Sequence, residues 1–184
     1  DLQSLEFGLP EGSAAKVNSM AAFASSILID KEATSLPYLF KAVAANPESA
    51  SLVKYLLSRI NKSKDKKIYR DQLIKMAQRD PSSLRLSLSA IIILSRGKKR
   101  QEAMDLAIQS YRALRDKDIP LKSEPMFVSL IRLVGAFMIE DKQYTSAVKL
   151  YKEVIDNPRY SSNPALLEGA ALVFDKAAKY ASTD

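Results

Sequence analysis

The chain has 184 residues, enough for one domain with a sizeable core and cramped for two. It contains neither cysteine nor histidine, which removes the commonest nucleophile and general-base pairings and the soft ligands of structural zinc sites. Its net charge of +7 points toward acidic partners, an RNA backbone or an anionic membrane surface.

No run of about 18 consecutive apolar residues occurs, so a soluble chain without a transmembrane segment is expected. The first residue is Asp rather than Met, which reads as a trimmed or processed chain, open to the earlier removal of any signal or transit peptide, and the compartment stays open. Glycines and prolines are few and fall mostly between apolar runs, the punctuation of an all-α protein.

Residues 1–12, DLQSLEFGLPEG, follow no helical or strand period and read as an irregular arm preceding a domain of residues 13–184. From Ser13, the apolar residues Val17, Met20, Ala21, Ala24, Ile27 and Leu28 recur at helical steps up to Asp30. The stretch SLPYLFKAVAAN gives a partner helix with Pro37 in its first turn, where a missing amide hydrogen costs nothing. That hairpin covers about 13–46.

The next hairpin, about 48–80, follows Pro47. Leu52, Val53, Tyr55, Leu56, Leu57 and Ile60 fall on one helix, then comes the turn NKSKDKK, then Ile68, Leu73, Ile74 and Ala77. A third, about 82–115, follows Pro81 with RGKKR as its turn, and the connection RDKDIPLKSEP leads to a fourth, about 125–157. A last helix, about 164–181, starts after Asn163 as N-cap and carries Leu166, Leu167, Ala170, Val173, Phe174 and Ala177 on one face. The reading is nine helices, in four hairpins and one capping helix. Pro47 and Pro81 stand 34 residues apart, each marking where one hairpin stops and the next starts, because proline disfavours helix before it and fits the first turn after it.

Helix pairs of about 34 residues closing on proline resemble tetratricopeptide repeats. The fullest copy is LIRLVGAFMIEDKQYTSAVKLYKEVIDNP, which resembles the family at Gly135, Ala147, Tyr151 and Pro158. A second copy matches through the turn Gly97 and the small residues Ala103 and Ala107, and Ala103 to Ala147 is 44 residues, one period plus the inserted connection. The chain has no Trp, so the family's large aromatic early in the first helix is missing. Pentatricopeptide repeats, which bind RNA, share the hairpin, while the NP and DP endings favour the tetratricopeptide kind. The resemblance covers about residues 14 to 158. It implies a right-handed α-solenoid of about four stacked hairpins with a concave groove, closed by the capping helix.

No paired-acid signature, calcium loop or phosphate-binding glycine run is present, and Glu153, Asp156 and Glu168 read as solvated helix faces. No catalytic residue, metal or cofactor is expected. Charge is the strongest signal. Lys62 and Arg96, Lys64 and Lys98, and Lys66 and Arg100 are each 34 residues apart, so stacked hairpins put two basic turns side by side; Lys67, Arg70 and Lys99 extend this edge. Lysine-rich turns are also simply well-solvated turns.

In the register of the resemblance, first-helix residues line the groove: Lys54, Ser58 and Asn61; Arg85, Leu88, Ile92 and Ser95; Ser129, Arg132 and Ala136. Such a groove is basic with an apolar floor and suits an extended peptide carrying acidic groups. The lysine-and-asparagine clamp of the family's chaperone-tail binders finds Lys54 with Ser58 and Arg132 with Ala136, so carboxylate-terminus recognition by that clamp is not expected. Three roles follow: a non-enzymatic scaffold binding a partner protein or peptide, an RNA-binding helical repeat using the basic edge, or a self-associating subunit of a larger assembly.

Overall fold

The computed structural model describes residues 32–181, together with Ala24. The irregular arm over 1–12 and most of the expected helix from Ser13 to Asp30 lie outside the described residues. Every regular element among those described is helical, with no strand. The chain divides into two compact units, the first ending at Arg100 and the second beginning at Gln101.

In the first unit the helices are α1 (Glu32–Ala45), α2 (Ala50–Lys62), α3 (Lys66–Arg79) and α4 (Leu84–Arg96). Each packs on its neighbour in sequence, and α2 also touches α4. Amphipathic spacing drives this: Leu52, Val53, Leu56 and Ile60 of α2 are buried, as are Leu73, Ile74 and Ala77 of α3. Leu36, Leu39, Phe40 and Val43 of α1 complete the core, with the Phe40 and Tyr69 rings stacked at 6.2 Å. The buried Ser35 hydroxyl accepts from the Arg59 guanidinium at 3.0 Å, tying α1 to α2.

The second unit holds α5 (Arg100–Leu114), whose first residue belongs to the first unit, then a short 3-10 turn (Leu121–Ser123), α6 (Glu124–Glu140), α7 (Tyr144–Ile155) and α8 (Pro164–Ala181). Helix α8 packs against both α6 and α7, the place expected of a cap on the last hairpin. Asn163 caps it: its side-chain oxygen accepts from the Ala165 and Leu166 amides at 3.1 and 3.3 Å.

The connection before α6 is fastened rather than loose. Ile119 is buried, and Arg159 donates to Asp118 at 2.9 Å, to Glu124 at 3.1 Å and to the Ile119 carbonyl. Tyr111, Phe127 and Tyr160 form a chain of ring contacts at 6.2 and 5.8 Å behind it.

Three sequence expectations change. Pro37 is the sixth residue of α1, because the helix already begins at Glu32; its ring therefore removes one internal hydrogen bond. Pro47 and Pro81 lie before α2 and α4 rather than in their first turns. The helices start instead behind the N-cap residues Ser49 and Ser83. Gly97 has φ −81, and the left-handed residue of that turn is Lys98 at φ 59, as Lys142 is at φ 58 in the α6–α7 turn. Leu167 is 44 % exposed, since the buried stripe of α8 runs through Leu166, Ala170 and Val173 and the adjacent position is turned about 100° away.

Candidate functional site

In the first unit, the start of α3 and the end of α4 enclose a cleft of about 320 Å³. Its lining divides by chemistry. Ile74, Ile93 and Leu94 are apolar; Lys66, Lys67, Arg70, Arg96 and Lys99 are cationic; Asp71 is the single carboxylate among the lining residues. Lys67, Arg70, Asp71 and Ile74 share one face of α3 at three- and four-residue steps. The opposite wall is the last turn of α4 and the turn behind it, which is held by bonds from the Gly97 amide to the Ile93 carbonyl and from the Lys99 amide to the Leu94 carbonyl, both 3.0 Å.

Two features of this cleft work against stability. Lys66 and Lys67 open α3, whose first turn has no acidic residue and whose N-cap Asp65 makes no side-chain cap bond. A helix start carries about half a positive charge and favours anions, so these lysines stand where the dipole repels them. Among the described residues, no carboxylate pairs with Lys66, Lys67 or Arg96. Arg70 is half-buried; its terminal nitrogen donates to the Asn61 side chain at 2.9 Å, while its Nε is buried without a hydrogen-bond partner.

The structure thus gathers Lys66, Lys67, Arg96 and Lys99 of the expected basic edge, with Arg70, around one cavity. Lys62, Lys64 and Lys98 are exposed in the same two turns and do not line it, and neither does Arg100. The apolar lining was missed in the sequence, although a signal was there. Ile91, Ile92, Ile93 and Leu94 are four consecutive apolar residues, more than one helix face can bury, and Ile93 is the half-buried one that reaches the cleft.

The expected groove residues are placed differently. Lys54, Ser58 and Asn61 are exposed on α2. Arg85 of α4 is engaged: its Nε donates to the Glu48 carbonyl at 3.1 Å, and the Glu48 carboxylate accepts from the Ser83 hydroxyl at 3.0 Å and the Arg85 amide at 3.3 Å. Leu88 is half-buried, Ile92 is 48 % exposed and Ser95 is exposed.

In the second unit, Ser129 and Arg132 line a second cleft, also about 320 Å³, with Glu124, Val128 and Asn163. Its charges are answered internally. Arg132 faces Glu168 at 3.9 Å and Glu124 holds Arg159 at 3.1 Å. The Ser129 hydroxyl donates to the Pro125 carbonyl at 2.8 Å, and Ala136 is exposed.

Of the three acids read as solvated, Asp156 is exposed, Glu168 meets Arg132, and Glu153 accepts from the Tyr111 hydroxyl at 3.2 Å beside Arg115 at 3.5 Å. Among the described residues no group of acidic side chains is gathered as a metal centre requires, and no helix is long and apolar enough to cross a membrane.

Of the residues that carry the repeat resemblance, Gly135 and Tyr151 meet. Gly135 of α6 and Gly169 of α8 both lie against the buried ring of Tyr151 on α7, and Ala147 is fully buried. No protein-family model, curated protein or solved structure matches the chain.

Proposed function

We propose that this chain is a non-enzymatic helical-repeat module of the tetratricopeptide type, with hairpins stacked as a solenoid, and that it binds a partner protein through an acidic segment. The observation that carries this reading is the α3–α4 cleft. Five cations surround an apolar lining there with one carboxylate among them. Buried apolar contact supplies affinity while the surrounding charge sets orientation and speeds encounter.

The periodicity supports the repeat assignment: α2 and α4 differ by 34 residues at both ends, and α3 and α5 by 34 at their starts. The α3–α4 edge serves binding better than the groove, because Arg85 and Arg132 already have intramolecular partners. An RNA strand is served less well, since no aromatic side chain lines the cleft for bases to stack on.

Affinity capture from the source organism's extract tests this, using the wild-type chain beside a Lys66→Glu, Arg96→Glu variant, with and without nuclease. The reading requires a protein that is retained after nuclease and lost with the variant. Capture that disappears with nuclease contradicts it.

A further inference from the structure

The cleft's chemistry narrows the partner further, on the premise that the chain is a protein-binding module. We infer that its occupant is a short acidic peptide segment with one aliphatic or aromatic side chain as anchor, flanked by carboxylates, and that Arg70 is its central charged contact.

Size and lining argue for the anchor. A cavity of about 320 Å³ lies at the lower end of small-ligand sites, suited to a side chain or two rather than a whole cofactor. Ile74 and Leu94 are already buried, and the half-buried Ile93 gains nothing from a bare phosphate or a polyglutamate backbone, which would cover its apolar surface without replacing its water by apolar contact. An anchor side chain makes that burial favourable.

Charge argues for the flanks. Lys66 and Lys67 approach from α3 and Arg96 from α4, so carboxylates on either side of an anchor meet a cation on each wall. The positive end of α3 adds to the same field. Asp71 disfavours a uniformly dense anion, because a carboxylate in the lining repels any charge placed in the middle of the cleft.

Arg70 distinguishes this cleft from an ordinary solvated lysine face. Its terminal nitrogen is fixed by Asn61, so the guanidinium plane is oriented. Its Nε is buried and out of a ligand's reach, so the terminal nitrogens carry the contact to a ligand carboxylate or peptide carbonyl. Lysine cannot replace arginine here, since it lacks the planar fork.

Fluorescence anisotropy with four synthetic probes tests the inference: an acidic twelve-residue peptide with one central Phe or Leu, the same peptide with Gly at the centre, a polyglutamate of equal length, and a single-stranded RNA of equal charge. The anchored peptide should bind at least about tenfold tighter than the Gly version, the gain that a buried apolar side chain supplies. Arg70→Lys should lose about tenfold for the anchored peptide while keeping the wild-type melting temperature. Equal binding of anchored peptide and polyglutamate, tighter binding of RNA, or full affinity in Arg70→Lys overturns it. If extract capture finds a nuclease-indifferent partner yet no probe of this class binds, the peptide class is wrong and the protein-binding reading survives.

Discussion

Tyr151 occupies the space that a side chain would need at two positions at once. A Cβ built on Gly135 would stand 2.5 Å from its ring, and one on Gly169 would stand 2.8 Å from Cε1 and closer still to the hydroxyl. Alanine is favoured over glycine inside a helix by about 1 kcal/mol, whereas overpacking a filled core costs about 1–3 kcal/mol. The ring is buried and met from both sides, so it has no free direction in which to yield, and the steric cost wins. Gly135→Ala and Gly169→Ala should each lower the urea midpoint of unfolding, by roughly 1 kcal/mol or more of stability; a rise in either would mean that the helices separate easily.

The buried phenols of the second unit also set an alkaline limit. Burial, and then the neighbouring Glu153, hold Tyr111 well above its ordinary value; burial raises Tyr151 and Tyr160 too, against the opposing pull of Arg132 and Arg159. An unfolded phenol ionises near pH ~10. Above that the unfolded chain binds fewer protons than the folded one, so stability falls as pH rises. The contribution is fully present below about pH 10 and is lost on the way up to the folded values. Denaturation followed between pH 8 and 11.5 should show this decline, with a smaller slope in Tyr111→Phe; a flat profile would contradict the burial argument.

At the scale of elements, the connection between α5 and α6 depends on a residue from beyond α7. Arg159 holds Asp118, the Ile119 carbonyl and Glu124 together. In Arg159→Ala, trypsin should cut at Lys117 or Lys122 well before the helices unfold; unchanged cleavage there would show that Ile119 burial alone fastens the segment.

Helices α2 to α8 were legible because their apolar spacing agrees with their turn chemistry. Asn163 announced α8, and the 34-residue offset placed the basic turns. Conflicting local signals explain the misses. Proline is permitted in a first turn and before an N-cap, so Pro47 alone did not locate Ser49. The cleft itself was half legible: periodicity brought its charges together, but which residue of an IIIL run faces outward depends on helix phase. Nor does sequence show that Arg85 is engaged by a carbonyl 37 residues away.

For the molecule as a whole, the excess positive charge is partly placed where it harms the fold. Acidic residues in a first turn stabilise a helix by roughly 0.3–1 kcal/mol each at low ionic strength, and lysines there do the reverse. Lys66 and Lys67 follow the N-cap Asp65 with no acidic residue in the first turn of α3, and no carboxylate among the described residues lies within ion-pair distance of them. Sites that give up stability are where binding function is found. Arg96, by contrast, sits at a helix end where the dipole welcomes it, so its charge alone carries no such signal.

The most direct measurement is therefore a paired one on Lys66→Glu, Lys67→Glu: thermal unfolding, and affinity for the anchored acidic peptide or the captured partner, at low salt. A binding role for these lysines requires a melting temperature equal to or above wild type together with affinity reduced at least about tenfold, since two like charges now face the ligand. A lower melting temperature with affinity retained would contradict it, and would make the lysines structural.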